Sequence, residues 1–85
     1  MGSYRIVVKK SVSKDLKKIP KKDVLRILEV IESLAQDPRP PQSKKLSGQE
    51  RYRLRQGNYR ILYSIEDEKL VVQVVKVGNR RDVYR

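Results

Sequence analysis

The sequence predicts an α+β fold in one small domain spanning residues 1–85: a strand and two helices, then a three-stranded antiparallel meander, with both helices on one face of the sheet. Three observations carry that prediction. Val24, Ile27, Leu28, Ile31, Leu34 and Ala35 fall on a single helical stripe. Residues 51–55 and 59–65 alternate as strands do, with the turn signal Gln56-Gly57-Asn58 between them. Leu70 to Val77 is almost continuously apolar, the pattern of a central strand buried on both faces.

The elements follow in order. Tyr4 to Val8 is rich in β-branched residues and reads as a strand. Ser11 is placed to cap a short helix in which Val12, Leu16 and Ile19 share a face and which Pro20 ends. The longer helical stripe comes next and stops at Asp37-Pro38. Residues 37–49 contain Pro38, Pro40, Pro41, Ser43, Ser47 and Gly48 and read as a loop. Beyond it, Arg51, Arg53 and Arg55 take one side of a strand and Tyr52 and Leu54 the other. Tyr59, Ile61, Tyr63 and Ile65 then alternate with Arg60, Leu62 and Ser64. Glu66-Asp67-Glu68 makes a polar turn, Gly78-Asn79 breaks the last strand, and a basic tail follows. Two helices can cover only one face of such a sheet, so the other face is expected to be open.

Composition narrows the chemistry. The chain has 85 residues, of which 38% are hydrophobic and 6% aromatic, so its core must be built from Val, Ile and Leu with a few Tyr. A core this thin supplies a net stability of about 3–5 kcal/mol, and a holding partner is expected. There is no cysteine, which excludes disulfides and thiolate metal sites. There is no histidine, which removes the commonest general base and the commonest metal ligand together. The acidic run Glu66-Asp67-Glu68 offers consecutive residues that do not converge on one ion, so neither a metal nor a small-molecule cofactor is expected. No apolar run approaches the ~20 residues that span a bilayer and no signal-peptide pattern opens the chain, so no membrane role and a cytoplasmic location are expected.

Charge is the strongest signal. Lys and Arg total 21 against 10 acids, a net +11, and a domain so basic attracts polyanions. Lys9, Lys10, Lys14, Lys17, Lys18, Lys21 and Lys22 crowd the first helix and its end. Two readings stand for them: a solvated helix face, or contacts to backbone phosphate, with Lys14 and Lys18 as the RNA-binding candidates. The sheet arginines are different. Strand alternation sets Arg51, Arg53 and Arg55 opposite the Tyr52/Leu54 side, and Arg60, between Tyr59 and Ile61, points away from the core as well. Like charges side by side in a sheet are destabilising, and an incoming anion relieves them. The tail adds Arg80, Arg81, Tyr84 and Arg85. A Tyr beside arginines either stacks on a base while guanidiniums hold phosphate or packs on the sheet edge.

Three runs resemble a known family. Lys45-Leu46-Ser47-Gly48, then Tyr52-Arg53-Leu54-Arg55-Gln56-Gly57-Asn58-Tyr59-Arg60-Ile61-Leu62-Tyr63, then Val77-Gly78-Asn79-Arg80-Arg81-Asp82-Val83-Tyr84 are similar to the RelE/ParE toxin superfamily, and the element order agrees over nearly the whole chain. The Arg80-to-Tyr84 ending resembles RelE more than ParE. The resemblance implies a small α+β toxin that cuts messenger RNA in the decoding site of the ribosome, close to ribosomal RNA, and a cognate antitoxin that wraps and blocks it. It implies that Arg53 and Arg55 occupy two basic positions of the second strand, that Arg60 binds phosphate, that Arg80 acts as general acid and that Tyr84 stacks on the substrate base. Lys45, Arg51 and Arg81 are further RNA-binding candidates.

RNA can be cut by its own 2′-hydroxyl. The enzyme aligns that oxygen with the leaving 5′-oxygen, stabilises charge at phosphorus and moves two protons. Guanidinium forks suit the first two tasks. They suit proton transfer poorly, because Arg holds its proton above pH ~12. Where some relatives place lysines, this chain has Arg53 and Arg55. The general base is left open between Glu50, Tyr84 and a mechanism in which the ribosome aligns the substrate and the protein supplies charge. Two other functions compete with RNA cleavage: a ParE-like gyrase inhibitor and a non-catalytic nucleic-acid-binding relative.

Overall fold

The computed structural model describes residues 3–46, 48 and 50–79. Its elements are β1 (Arg5–Val8), α1 (Lys10–Lys17), α2 (Lys21–Ser33), β2 (Lys44–Lys45), β3 (Arg51–Gln56), β4 (Tyr59–Glu66) and β5 (Val71–Asn79). The strands form one sheet in the order β1-β5-β4-β3-β2. The meander is as expected: β3 pairs antiparallel with β4, and β4 with β5. Gly57 opens the β3–β4 turn at φ +59°, a left-handed conformation in which a glycine costs least. β1 lies parallel to β5, from Arg5 opposite Val71 to Val8 opposite Val74, and the helices occupy the long connection that a parallel neighbour requires.

Both helices pack on the same side of the sheet. Val12 of α1, Ile27 and Ile31 of α2, and Leu34 just beyond α2 meet Leu54, Ile61, Tyr63, Val72, Val74 and Val77 in one core. Each such side chain, fully buried, contributes roughly 1.5–3 kcal/mol of transfer free energy, most of which offsets chain entropy.

Four expectations need correction. Ser11 does not cap α1: the helix begins at Lys10 with Lys9 at the cap position and no side-chain cap. The cause is the sheet edge, because the Lys9 amide donates to the Val74 carbonyl at 3.0 Å and the chain turns into the helix directly afterwards. Residues 37–49 are not all loop: Lys44 and Lys45 pair with Arg53 and Tyr52. Two lysines carry no strand pattern of their own, and the pairing comes from the edge groups of β3. The apolar stripe of α2 is narrower than predicted, since Leu28 is exposed while Ile27 and Ile31 are buried. Finally, β5 is central but is not buried on both faces. Val72, Val74 and Val77 are buried, whereas Gln73, Val75 and Lys76 are half-buried. A bulge explains the run: Leu62 pairs with Lys76 but Tyr63 with Val74, so Val75 is the extra residue and shifts the alternation.

Candidate nucleic-acid interface

Cross-strand partners project from the same face, so the register assigns every sheet side chain to a side. Tyr52 opposite Tyr63 opposite Val74, and Leu54 opposite Ile61 opposite Val77, face the helices. The rungs between them face away. Arg51 pairs with Ser64; Lys44, Arg53, Leu62 and Lys76 form one rung across four strands; Arg55, Arg60 and Gly78 form the next. Arg51, Arg53, Arg55 and Arg60 therefore share the face that the helices leave uncovered.

That face is less bare than the sequence suggests. Arg51 and Arg55 are exposed and Arg53 is half-buried, but Arg60 is only 7% exposed and is the one buried charged side chain among the described residues. Leu62, between Arg53 and Lys76 in its rung, is also 7% exposed. Long basic side chains cover apolar surface with their stems while their heads stay at the surface. Directly opposed residues of an antiparallel pair have Cβ atoms about 4.5–5.5 Å apart, so Arg55 and Arg60 bring two positive side chains together from adjacent strands.

The other candidates are placed as follows. Lys45 pairs with Tyr52 and so belongs to the helix side of the edge strand, whereas Lys44, which sequence reasoning passed over, belongs to the arginine face. Lys45 Nζ lies 3.7 Å from Oε1 of Glu50, the carboxylate considered as a base, in an exposed ion pair. Lys14 and Lys18 are exposed on α1 and at its end. Lys18 lines a cleft of about 350 Å³ with Asp15, Tyr59, Lys76, Gly78 and Asn79. Asp15 serves the strand there, since its Oδ2 accepts the Val77 amide at 3.3 Å. Arg80, Arg81 and Tyr84 lie outside the described residues.

Sequence reasoning also missed a polar cluster at the other end of the sheet. Asp67 was expected only to solvate its turn. Instead Arg39 donates to both of its oxygens, at 3.1 and 2.9 Å, and the Tyr4 hydroxyl donates to Oδ1 at 2.7 Å. Arg39 Nε also donates to the Tyr52 hydroxyl at 3.0 Å, and the guanidinium carbon sits 5.3 Å from that ring's centre. Tyr52 stacks on Tyr63, whose buried hydroxyl donates to the Pro38 carbonyl at 2.8 Å. Hydrogen bonds from Arg39 first and Tyr4 second hold the Asp67 carboxyl down at about 2. Its hydrogen bond to Asp67 pushes the Tyr4 hydroxyl up, and burial pushes Tyr63 up. Among the described residues, no group of three or more acidic, His or Cys side chains could hold a metal, and no helix is long and apolar enough to cross a membrane.

A small basic sheet protein with both helices on one face and stacked arginines on the other is a scaffold for meeting a polyanion. The chain belongs to the family of ParE toxins of type II toxin–antitoxin systems, which it matches over residues 6–84. It is 30% identical to the toxin RelG of Mycobacterium tuberculosis, over 96% of this chain and 97% of that one. Its fold matches the archaeal RelE–RelB complex of Pyrococcus horikoshii with a TM-score of 0.84, at 32% identity over 95% of this chain and 99% of that one. The RelBE2 toxin–antitoxin complex of M. tuberculosis gives a TM-score of 0.82 at 27% identity, over 92% and 99% of the two chains.

Proposed function

We propose that this toxin inhibits translation as a ribosome-dependent endoribonuclease, cutting messenger RNA by attack of a 2′-hydroxyl on the adjacent phosphodiester. The observation that carries the proposal is the Arg55–Arg60 pair, two like charges opposed across strands beside Arg53 on the face away from the helices. Such an arrangement works against folding and is relieved by an anion bound over it. Guanidinium forks then meet the non-bridging oxygens of the phosphodiester and stabilise the charge that grows on them during attack. Arg60, almost buried, loses little further side-chain freedom on binding. Alignment of the 2′-oxygen with the leaving 5′-oxygen falls to the ribosome, and alignment of this kind is worth roughly 7–11 kcal/mol of barrier.

In this proposal Arg53, Arg55 and Arg60 contact the scissile phosphate, Arg80 and Tyr84 take part in the reaction, and Lys45, Arg51, Lys14, Lys18 and Arg81 contact flanking RNA, ribosomal or messenger. A cognate antitoxin holds the toxin inactive. Support for that partner comes from the solved relatives, which are toxin–antitoxin complexes, and from the +11 charge, which favours an acidic covering segment.

The test is mapping of messenger 5′ ends after brief induction, with translating ribosomes and without them. New ends that appear only with ribosomes are the expected result. Intact messenger together with DNA damage would replace this function by the gyrase-directed one, which the ParE description of the family keeps in play.

A further inference from the structure

The outer face of α2 carries a pattern that the core does not use. Leu25 is 56% exposed there and Leu28 38%. With Lys21 and Glu32, also exposed, they occupy positions 21, 25, 28 and 32, the alternating four- and three-residue spacing of a helix–helix seam. Lys22 and Glu29, seven residues apart and exposed, run along one flank of that seam. The charges stand in the wrong order for the helix that bears them. A helix N-terminus is the positive end of its dipole and the C-terminus the negative end, so acids suit the start and bases the finish. In α2 both lysines open the helix, both glutamates lie in its second half, and no basic residue stands in the last turn. Asp23, the acid of the first turn, is engaged by the Tyr59 hydroxyl, 3.3 Å from its Oδ2. Among the described residues, none of Lys21, Lys22, Glu29 and Glu32 has an ion pair within the chain.

A second copy, reversed end for end, supplies what this face lacks. Set antiparallel about the point midway between residues 26 and 27, two such seams place Leu25 of each copy on Leu28 of the other and Lys21 against Glu32, with Lys22 beside Glu29 on the flank. Each copy then brings glutamates to the other's positive helix end and lysines to its negative end. The match uses the same patch twice, so it closes at two chains. A wholly acidic segment, of the kind the +11 charge favours over the basic surfaces, would meet Glu29 and Glu32 at one end of this seam. We propose that the toxin self-associates through α2 as an antiparallel pair with Leu25 and Leu28 at its centre. The arginines lie on the face of the sheet away from the helices, so the pair leaves both copies' arginines uncovered and holds whatever they bind. A seam of about three helical turns is a small interface, below about 1,200 Å² in total, so the association is weak and reversible.

The experiment is sedimentation equilibrium of the full-length toxin, free of antitoxin, from micromolar to millimolar concentration. The mean mass of wild type should rise with concentration from one chain toward two. Two charge variants carry the test. Lys21→Glu with Lys22→Glu makes the seam acidic throughout, and Glu29→Lys with Glu32→Lys makes it basic throughout. Each alone should associate at least about tenfold more weakly than wild type, because like charges meet at both ends. Mixed in equal amounts they should pair again, and the variant with all four substitutions should self-associate like wild type. Both double variants keep a net positive charge, so their pairing reports the seam rather than bulk attraction. All four positions are exposed, and circular dichroism confirms that each variant is folded. A folded wild type that stays one chain at every concentration overturns the pair and leaves the exposed leucines to another partner, the antitoxin included. Association that persists unchanged in both double variants puts the contact elsewhere and overturns it too, as does failure of the mixed variants to pair.

Discussion

At the end of the sheet where β4 turns into β5, an arginine meets a carboxylate; at the end where β3 turns into β4, an arginine meets another arginine. Arg39 is matched to Asp67 by two hydrogen bonds, and its Nε–H is taken by the Tyr52 hydroxyl. That charge is spent within the protein and ties the α2–β2 loop to the β4–β5 turn. Arg55 and Arg60 face each other across strands on a face that also carries Arg51, Arg53, Lys44 and Lys76. Like charges opposed across strands repel, and in a chain with so small a core that repulsion weighs against stability. Under the proposed function, the difference separates charge used for structure from charge held for a ligand.

The largest effect tests the second end. Arg60→Ala should lower messenger cleavage by about 10²–10³-fold, the usual loss when one positioned donor to a developing charge is removed. Any change in the midpoint of unfolding should be small beside that loss, because relief of the like-charge opposition offsets the packing lost with a buried stem. Cleavage rate and a denaturant titration on the same preparation check both halves. Loss of stability in step with activity would mean that Arg60 is a structural residue like Arg39, and the contrast between the ends would fail.

A smaller effect tests the first end. Tyr63 is fully buried and its hydroxyl donates to the Pro38 carbonyl. Tyr63→Phe leaves that acceptor unsatisfied and should cost about 1–2 kcal/mol in unfolding free energy. Cleavage by the folded fraction should not change. A cleavage defect comparable to that of Arg60→Ala would show that the two ends act as one site.

Sequence reasoning reached the arginine face because alternation needs no partner: once Tyr52 and Leu54 are assigned to the core, Arg51, Arg53 and Arg55 must lie opposite. The same logic assigned Arg60. It failed wherever the pattern depends on a neighbour. Val75, the bulged residue, turned an alternating strand into an apparently continuous apolar run, and Lys76, the only charge in that run, was hidden by it. Lys44 and Lys45 form a strand only because β3 offers an edge. Asp67 finds Arg39 28 residues away and Tyr4 63 residues away, and neither separation leaves a local mark. Ser11 carried a cap signal of the right type, but pairing of Lys9 with the sheet set the helix start.

The subtlest difference between the ends is their response to acid. The Asp67 carboxyl is held at about 2, below its ordinary 3.8, by the hydrogen bonds from Arg39 and Tyr4. A carboxyl depressed by folding contributes stability that is fully present above its unfolded pKa and is lost as pH falls through the folded value. Wild type should therefore melt above Asp67→Asn near neutral pH, and the gap should begin to close below pH about 4 and be mostly lost by pH about 2. The gap will be modest, since the Arg39 and Asp67 side chains are 44% and 56% exposed, and it should shrink in high salt. Thermal melts of both proteins from pH 7 to pH 2, at low and high salt, measure it. A gap that stayed constant down to pH 2 would mean that the carboxylate charge contributes nothing there, and the Arg39–Asp67 pair would lose its place as the structural counterpart of the arginine face.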